Sequence, residues 1–208
     1  MIQFQIFEII VLIFSAVAHE YMHGFAAFQM GDSTAKDAGR LTLNPLAHLE
    51  WFGSVILPLL LIISNVGFVF GWAKPVPYNP NNLRDQKYGD AKVAAAGPLT
   101  NLVIALFFGL FLRFFPINSP VFAALISLIV LINLVLMVFN LVPIPPLDGS
   151  KILSCLLPPR AKERFLSLNR AGFILVILVL IFFGNLIMPL VSFLFQGIVG
   201  QSLGYFLG

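Results

Sequence analysis

The amino-acid sequence predicts an all-α integral membrane protein, a polytopic helical bundle with about four to five full crossings and a re-entrant segment near residues 52–71. Three observations predict it. Of 208 residues, 59% are hydrophobic and only 10% charged, against about a quarter charged in a soluble domain. The apolar residues gather in five stretches, roughly 4–30, 52–71, 93–115, 121–142 and 171–195, each near the ~20 residues that carry a helix across the hydrocarbon. The charges sit almost entirely in the connections between them. Lipid admits only structures that satisfy their own backbone polar groups, which makes each long apolar stretch a helix. No repeat, low-complexity tract or soluble insert interrupts the pattern, so residues 1–208 read as one membrane-embedded domain. Cys155 is the single cysteine, which excludes an intrachain disulfide and a cysteine-built metal site.

The first stretch reads as retained rather than as a cleaved signal peptide, because no positive charge precedes it. It is interrupted by His19, Glu20 and His23. In the connection 31–50, the run Leu41-Thr42-Leu43-Asn44-Pro45 predicts a short extended piece before an Asn-Pro turn. The second stretch contains Pro58, Ser64, Asn65 and Gly67 and makes a poor straight helix. Residues 72–92, rich in Pro, Asn and charge, read as a surface loop. Gly97-Pro98 suits the start of the third helix, where proline is tolerated in the first turn. The fourth stretch ends in Asn140-Leu141-Val142-Pro143-Ile144-Pro145-Pro146-Leu147-Asp148-Gly149. Residues 149–170 hold Pro158, Pro159 and a basic cluster suited to anionic lipid rather than nucleic acid. The fifth stretch is apolar apart from Asn185 and Pro189.

His19-Glu20-Tyr21-Met22-His23 fits the pattern H-E-x-x-H. Positions i and i+4 share one helix face, so both imidazoles can reach one ion, with Glu20 beside the first to take a proton from water. In a soluble helix this pattern is weak. Inside an apolar stretch, ionisable side chains are costly and mark a functional site. A catalytic zinc takes three protein ligands, so a third is needed. Asp148 is a candidate: the prolines before it free the backbone from helical bonding, and Gly149 allows close approach. Such irregular backbone is tolerated at membrane depth only when buried in protein or lining a wet cavity. An aspartate in a turn at a helix end is common, and taken alone Asp148 would be read that way. His48, the remaining histidine, suits capping or hydrogen bonding.

These residues resemble the site-2 protease family of intramembrane zinc metalloproteases, peptidase family M50. The matching pieces are His19 to His23, Ala96-Gly97-Pro98-Leu99-Thr100-Asn101 and Asn140 to Gly149, in that order. The segments Gly39 to His48 and Gly71-Trp72-Ala73-Lys74-Pro75-Val76-Pro77 are similar to short members of the family, without PDZ or CBS domains. The resemblance implies a Zn2+ held by His19, His23 and Asp148, with Glu20 as the base and a transmembrane protein or peptide as the substrate. Asn140 fits substrate binding or a helix-to-helix hydrogen bond, and the resemblance favours substrate. Asn101 and Asn133 read as helix-packing residues. The alternative function is a metal-ion transporter or channel using the same ligands, which would not need Glu20.

Topology bears on the site independently. Asp148 must lie at the depth of His19 and His23. With every stretch crossing fully it would face the opposite side. If 52–71 dips in and turns back near Ser64-Asn65, parity is restored, and every Lys and Arg except Arg113 falls on one side of the membrane. By the positive-inside rule that side is cytoplasmic. The expectation is a multi-pass cell-membrane protein with its active site nearer the cytoplasm.

Overall fold

The computed structural model describes residues 2–64 and 73–207, and among them every regular element is helical. Helix α1 (Ile2–Gln29) is followed by the single turn α2 (Thr34–Asp37). A six-residue π-helical stretch, Trp51–Ile56, runs into α3 (Leu57–Ile63). The long helices α4 (Gly89–Phe114) and α5 (Pro120–Asn140) come next, then the short α6 (Asp148–Ser154) and α7 (Pro159–Ser167). Helix α8 (Gly172–Val199) and the terminal α9 (Leu203–Leu207) complete the chain. Among the described residues, three helices are long and apolar enough to cross a membrane: Phe4–Gln29 of α1, Gly89–Phe114 and Pro120–Asn140. A shorter apolar helical stretch, Leu186–Val199, belongs to α8. The chain is an integral membrane protein of all-helical class.

Polar side chains buried in the bundle fix the helix directions. Asn133 of α5 donates to Ser15 Oγ of α1 (3.0 Å), and Asn101 of α4 donates to Asn133 Oδ1 (2.9 Å). One layer farther along lie His23 of α1 and Val93 of α4. From the first layer to the second, numbering rises along α1 and falls along α4, so the two are antiparallel. Beyond Asn133, α5 continues toward Asp148, which meets His19 and His23, so α5 runs with α1. At the far end, Arg113 of α4 donates to the carbonyls of Gly197 (2.9 Å) and Ile198 (3.4 Å). A cation there satisfies the unpaired carbonyls of the α8 C-terminus and sets α8 parallel to α4. The apolar core between α4, α5 and α8 includes Ala105, Val130, Leu134, Val191 and Phe195, each fully buried.

The C-terminus of α1 and the N-terminus of α4 therefore lie at the same end of the bundle. The chain between them leaves and returns at one place, because Lys74 N–H donates to His48 O (2.8 Å). The helical stretch 51–63 is about 20 Å long at 1.5 Å per residue, short of the ~30 Å hydrocarbon. The turn-back expected near Ser64-Asn65 falls largely outside the described residues.

Local expectations are corrected at three places. Gly97-Pro98 does not begin α4. The helix starts eight residues earlier, at Gly89, directly after a turn in which Asp85 Oδ1 accepts from Lys87 N (3.1 Å) and Tyr88 N (2.9 Å). Pro98 is interior and fully buried. The polar stretch 149–170 is largely helical, with Asp148 in the first turn of α6 and Pro159 in the first turn of α7, where acid and proline are both tolerated. The expected extended piece at 41–43 forms no strand. Asn44 instead caps a single 3-10 turn, Pro45–Ala47, with Oδ1 accepting from Leu46 N (3.1 Å).

Candidate metal centre

His19 and His23 lie one turn apart on α1 and both point into the interface with α4, 5% and 7% exposed. Their rings meet edge to face with centroids 4.6 Å apart. His19, Glu20 and His23 each offer a ligand atom within 4.8 Å of one another, a group able to hold a metal ion. The loop after α5 delivers Asp148 to the same point. Its Oδ2 lies 3.0 Å from His19 Nε2 and 3.2 Å from His23 Nε2, and the residue is buried.

That loop can bring Asp148 in because Gly149 has no side chain. A Cβ there would lie 2.7 Å from Val142 O and closer still to Leu141 O, far inside contact distance. Gly97 does the same on α4. A Cβ at Gly97 would meet His19 Cδ2 and Cε1 at 2.6 Å and approach Nε2 more closely. The glycine lets the imidazole lie flat against the helix backbone.

Which nitrogen donates in each ring follows from its other contacts. His23 Nδ1 lies 2.7 Å from Val93 O, a carbonyl that can only accept, so Nδ1 carries the proton. His19 Nδ1 lies 2.6 Å from Asn101 Oδ1. Asn101 is oriented by its Nδ2, which donates to Asn133 Oδ1 (2.9 Å) and Ser15 O (3.4 Å), so its oxygen accepts from His19. In each neutral ring, Nε2 is then left with a lone pair. With both rings neutral, two lone pairs and a carboxylate oxygen converge on one point. In that state the donor chemistry fits a metal bound through imidazole and carboxylate.

Asn101 and Asn133 thus do more than pack helices. They form a buried chain, Ser15 to Asn133 to Asn101 to His19, that makes His19 donate from Nδ1 and leaves its Nε2 facing Asp148. The sequence carried a signal for this: Gly97 and Asn101 are four apart and share one face of α4.

Glu20 is half-buried, and its Oε2 accepts from Val76 N–H (2.9 Å). Val76 belongs to the segment 73–79, which is tied down along its length. Lys74 N donates to His48 O (2.8 Å), Arg40 Nη2 donates to Lys74 O (2.9 Å), and Asn79 N donates to Asp32 Oδ2 (2.7 Å). Tyr78 donates to the Asp90 carboxylate and lies under the Lys151 ammonium, 5.1 Å from its ring. Asp32 is fully buried at the end of α1. Burial raises its carboxyl pKa, but hydrogen bonds from Thr34, Asn79 and Asn82 outweigh this and hold it below the ordinary value. His48 is buried away from the metal group, its Nε2 donating to Thr42 O (2.8 Å). Asn140 closes α5 and donates from Nδ2 to Leu136 O (2.9 Å).

The chain is thus an all-helical membrane protein in which His19, Glu20 and His23 could hold a metal ion. Comparison with known proteins names the family. The model for peptidase family M50 matches residues 116–184. YwhC of Bacillus subtilis is 36% identical over 182 residues, covering 83% of this chain and 79% of its own length. MJ0611 of Methanocaldococcus jannaschii is 33% identical, covering 71% of this chain and 72% of its own length. Rip2 of Mycolicibacterium smegmatis is 34% identical over 80% of this chain, which spans 63% of the length of that relative. All three are named as candidate zinc metalloproteases. The chain belongs to peptidase family M50, the site-2 protease family. No solved structure matches it.

Proposed function

We propose that the chain is an intramembrane zinc metalloprotease that hydrolyses peptide bonds of transmembrane substrates. Zn2+ is held by His19, His23 and Asp148, and Glu20 is the general base. The observation that carries the reading is the convergence of His19 Nε2, His23 Nε2 and Asp148 Oδ2 at 3.0 and 3.2 Å, with both Nδ1 protons committed elsewhere. A zinc ion in this set would supply a Lewis acid for the scissile carbonyl and a water made nucleophilic near neutral pH. Glu20, next in sequence to His19, is placed to accept a proton from the attacking water and to return it to the leaving amine. Asn140 holds the substrate backbone with the amide groups not spent on Leu136 O. A substrate helix must unwind locally, since helical carbonyls are already bonded.

The same reading gives the topology. The shared end of α1 and α4, and the Lys74–His48 bond, support a stretch 52–71 that enters the membrane and turns back. Helices α1, α4, α5 and α8 then make four full crossings. The end of the bundle that carries the site also carries every Lys and Arg except Arg113 and faces the cytoplasm. The test is Glu20→Gln in purified protein with a transmembrane peptide substrate. Zinc stoichiometry is expected to hold while hydrolysis falls by about a hundredfold or more. Undiminished hydrolysis, or chelator-insensitive hydrolysis by the unaltered protein, would refute the assignment.

A further inference from the structure

The segment Lys74-Pro75-Val76-Pro77 poses a question that the metal ligands do not answer. Two prolines remove two backbone N–H groups, so between Pro75 and Pro77 a single donor remains, that of Val76. Lys74 and Val76 each precede a proline, which keeps both out of the α region and stiffens the strap. The strap is pinned on one side of Val76 by His48 O and the Arg40 guanidinium, and on the other by Asp32. The one remaining N–H is aimed at Glu20 Oε2 at 2.9 Å. The Val76 side chain is buried, 5% exposed, against the α1 backbone at Gly24, one turn past Glu20. A Cβ at Gly24 would lie 2.8 Å from Val76 Cγ1 and 3.1 Å from Ala35 Cβ. The glycine is the seat that lets the strap come close enough for its N–H to reach the carboxylate.

We infer that the Pro75–Pro77 strap orients the Glu20 carboxylate: Val76 N–H anchors Oε2 and leaves Oε1 for the proton, with Val76 and Gly24 as positioning residues. The inference rests on the proposed role of Glu20 as base. A glutamate has three rotatable side-chain bonds, and a base must hold one geometry to act. A rigid backbone donor fixes the carboxylate without offering a proton that could transfer, since an amide N–H stays bonded to its nitrogen. A side-chain donor in the same place would be free to move with its own rotamers.

The test separates the donor from the side chain. Val76→Pro removes the N–H together with the isopropyl group, so the donor is read from its difference against Val76→Ala. Val76→Ala keeps the N–H and loses the methyl groups. Zinc content, kcat and KM are measured for both on one transmembrane peptide. Val76→Pro is expected to keep zinc and KM and to lose about ten- to a hundredfold in kcat, the scale of a hydrogen bond to a charged group; Val76→Ala is expected to lose much less. If Val76→Pro fails to fold, the Gly24 seat decides: Gly24→Ala should lower kcat, and Gly24→Ala with Val76→Ala should recover part of it. Wild-type kcat in Val76→Pro, or no recovery in the double variant, overturns the inference. A readout free of activity is amide exchange in protein labelled with 15N-valine. The Val76 N–H should be protected, and exposed in Glu20→Ala. Free exchange in the unaltered protein removes the contact itself. Protection in a protein that cleaves no substrate instead leaves the contact standing and refutes the proteolytic function.

Discussion

Gly97→Ala asks the structure to choose between two opposing effects. Helix propensity favours alanine over an interior glycine by up to about 1 kcal/mol, so a helix considered alone would gain. The tertiary term opposes it. The new Cβ would stand 2.6 Å from His19 Cδ2 and Cε1 and nearer to Nε2, where ordinary contact begins at 3.4 Å. Either the imidazole or α4 must retreat by roughly 1 Å, a displacement that can cost ~10²-fold when it misplaces a catalytic group. Moving the ring breaks its bond to Asn101, and moving α4 takes Asn101 and Val93 away from both Nδ1 protons. Overpacking of a buried site costs about 1–3 kcal/mol, which exceeds the propensity gain. The assay is zinc affinity by chelator competition in detergent, with the unfolding temperature and hydrolysis rate alongside. Gly97→Ala should bind zinc at least tenfold more weakly, hydrolyse about a hundredfold more slowly and melt lower. Gly197→Ala on exposed α8 surface, where a Cβ meets nothing within 4 Å, should keep zinc affinity and lose no stability. Wild-type zinc affinity and rate in Gly97→Ala would refute the close packing of α4 on His19.

Two further outcomes follow from the hydrogen bonds around the site. Asn101→Leu removes the acceptor that fixes the His19 tautomer and should weaken zinc about ten- to a hundredfold, measured by the same competition; unaltered affinity would separate the buried amide chain from the metal. The Asp32 carboxyl is held below its unfolded value, so its bonds stabilise the folded protein at pH above the unfolded pKa of ~3.9. That stability is lost as pH falls through the lower folded value. The unfolding temperature should therefore drop between pH 6 and pH 3 by more in the unaltered protein than in Asp32→Asn, which carries no charge to titrate there; equal drops would show that Asp32 contributes no pH-linked stability.

What the sequence determined by itself was the kind of solvent this chain folds in and the residues that resist it. A composition of 59% hydrophobic residues forces helices into lipid. Within them His19, Glu20 and His23 stand out because burying such groups needs a reason. Their spacing put both histidines on one face through helix geometry alone. Asp148 was harder to read, since a carboxylate after a proline-rich helix end has an ordinary explanation, and only folding shows whether it reaches a point 125 residues away in sequence. Tertiary structure decided that meeting, and it decided that each ring donates from Nδ1, to a carbonyl at Val93 and an amide oxygen at Asn101. It also moved the start of α4 back to Gly89, directly after the turn that Asp85 closes, and left Pro98 inside the helix. The strap over Glu20 was invisible for a physical reason: its active group is a backbone N–H. Every residue but proline carries one, and only position in space tells which of them matters.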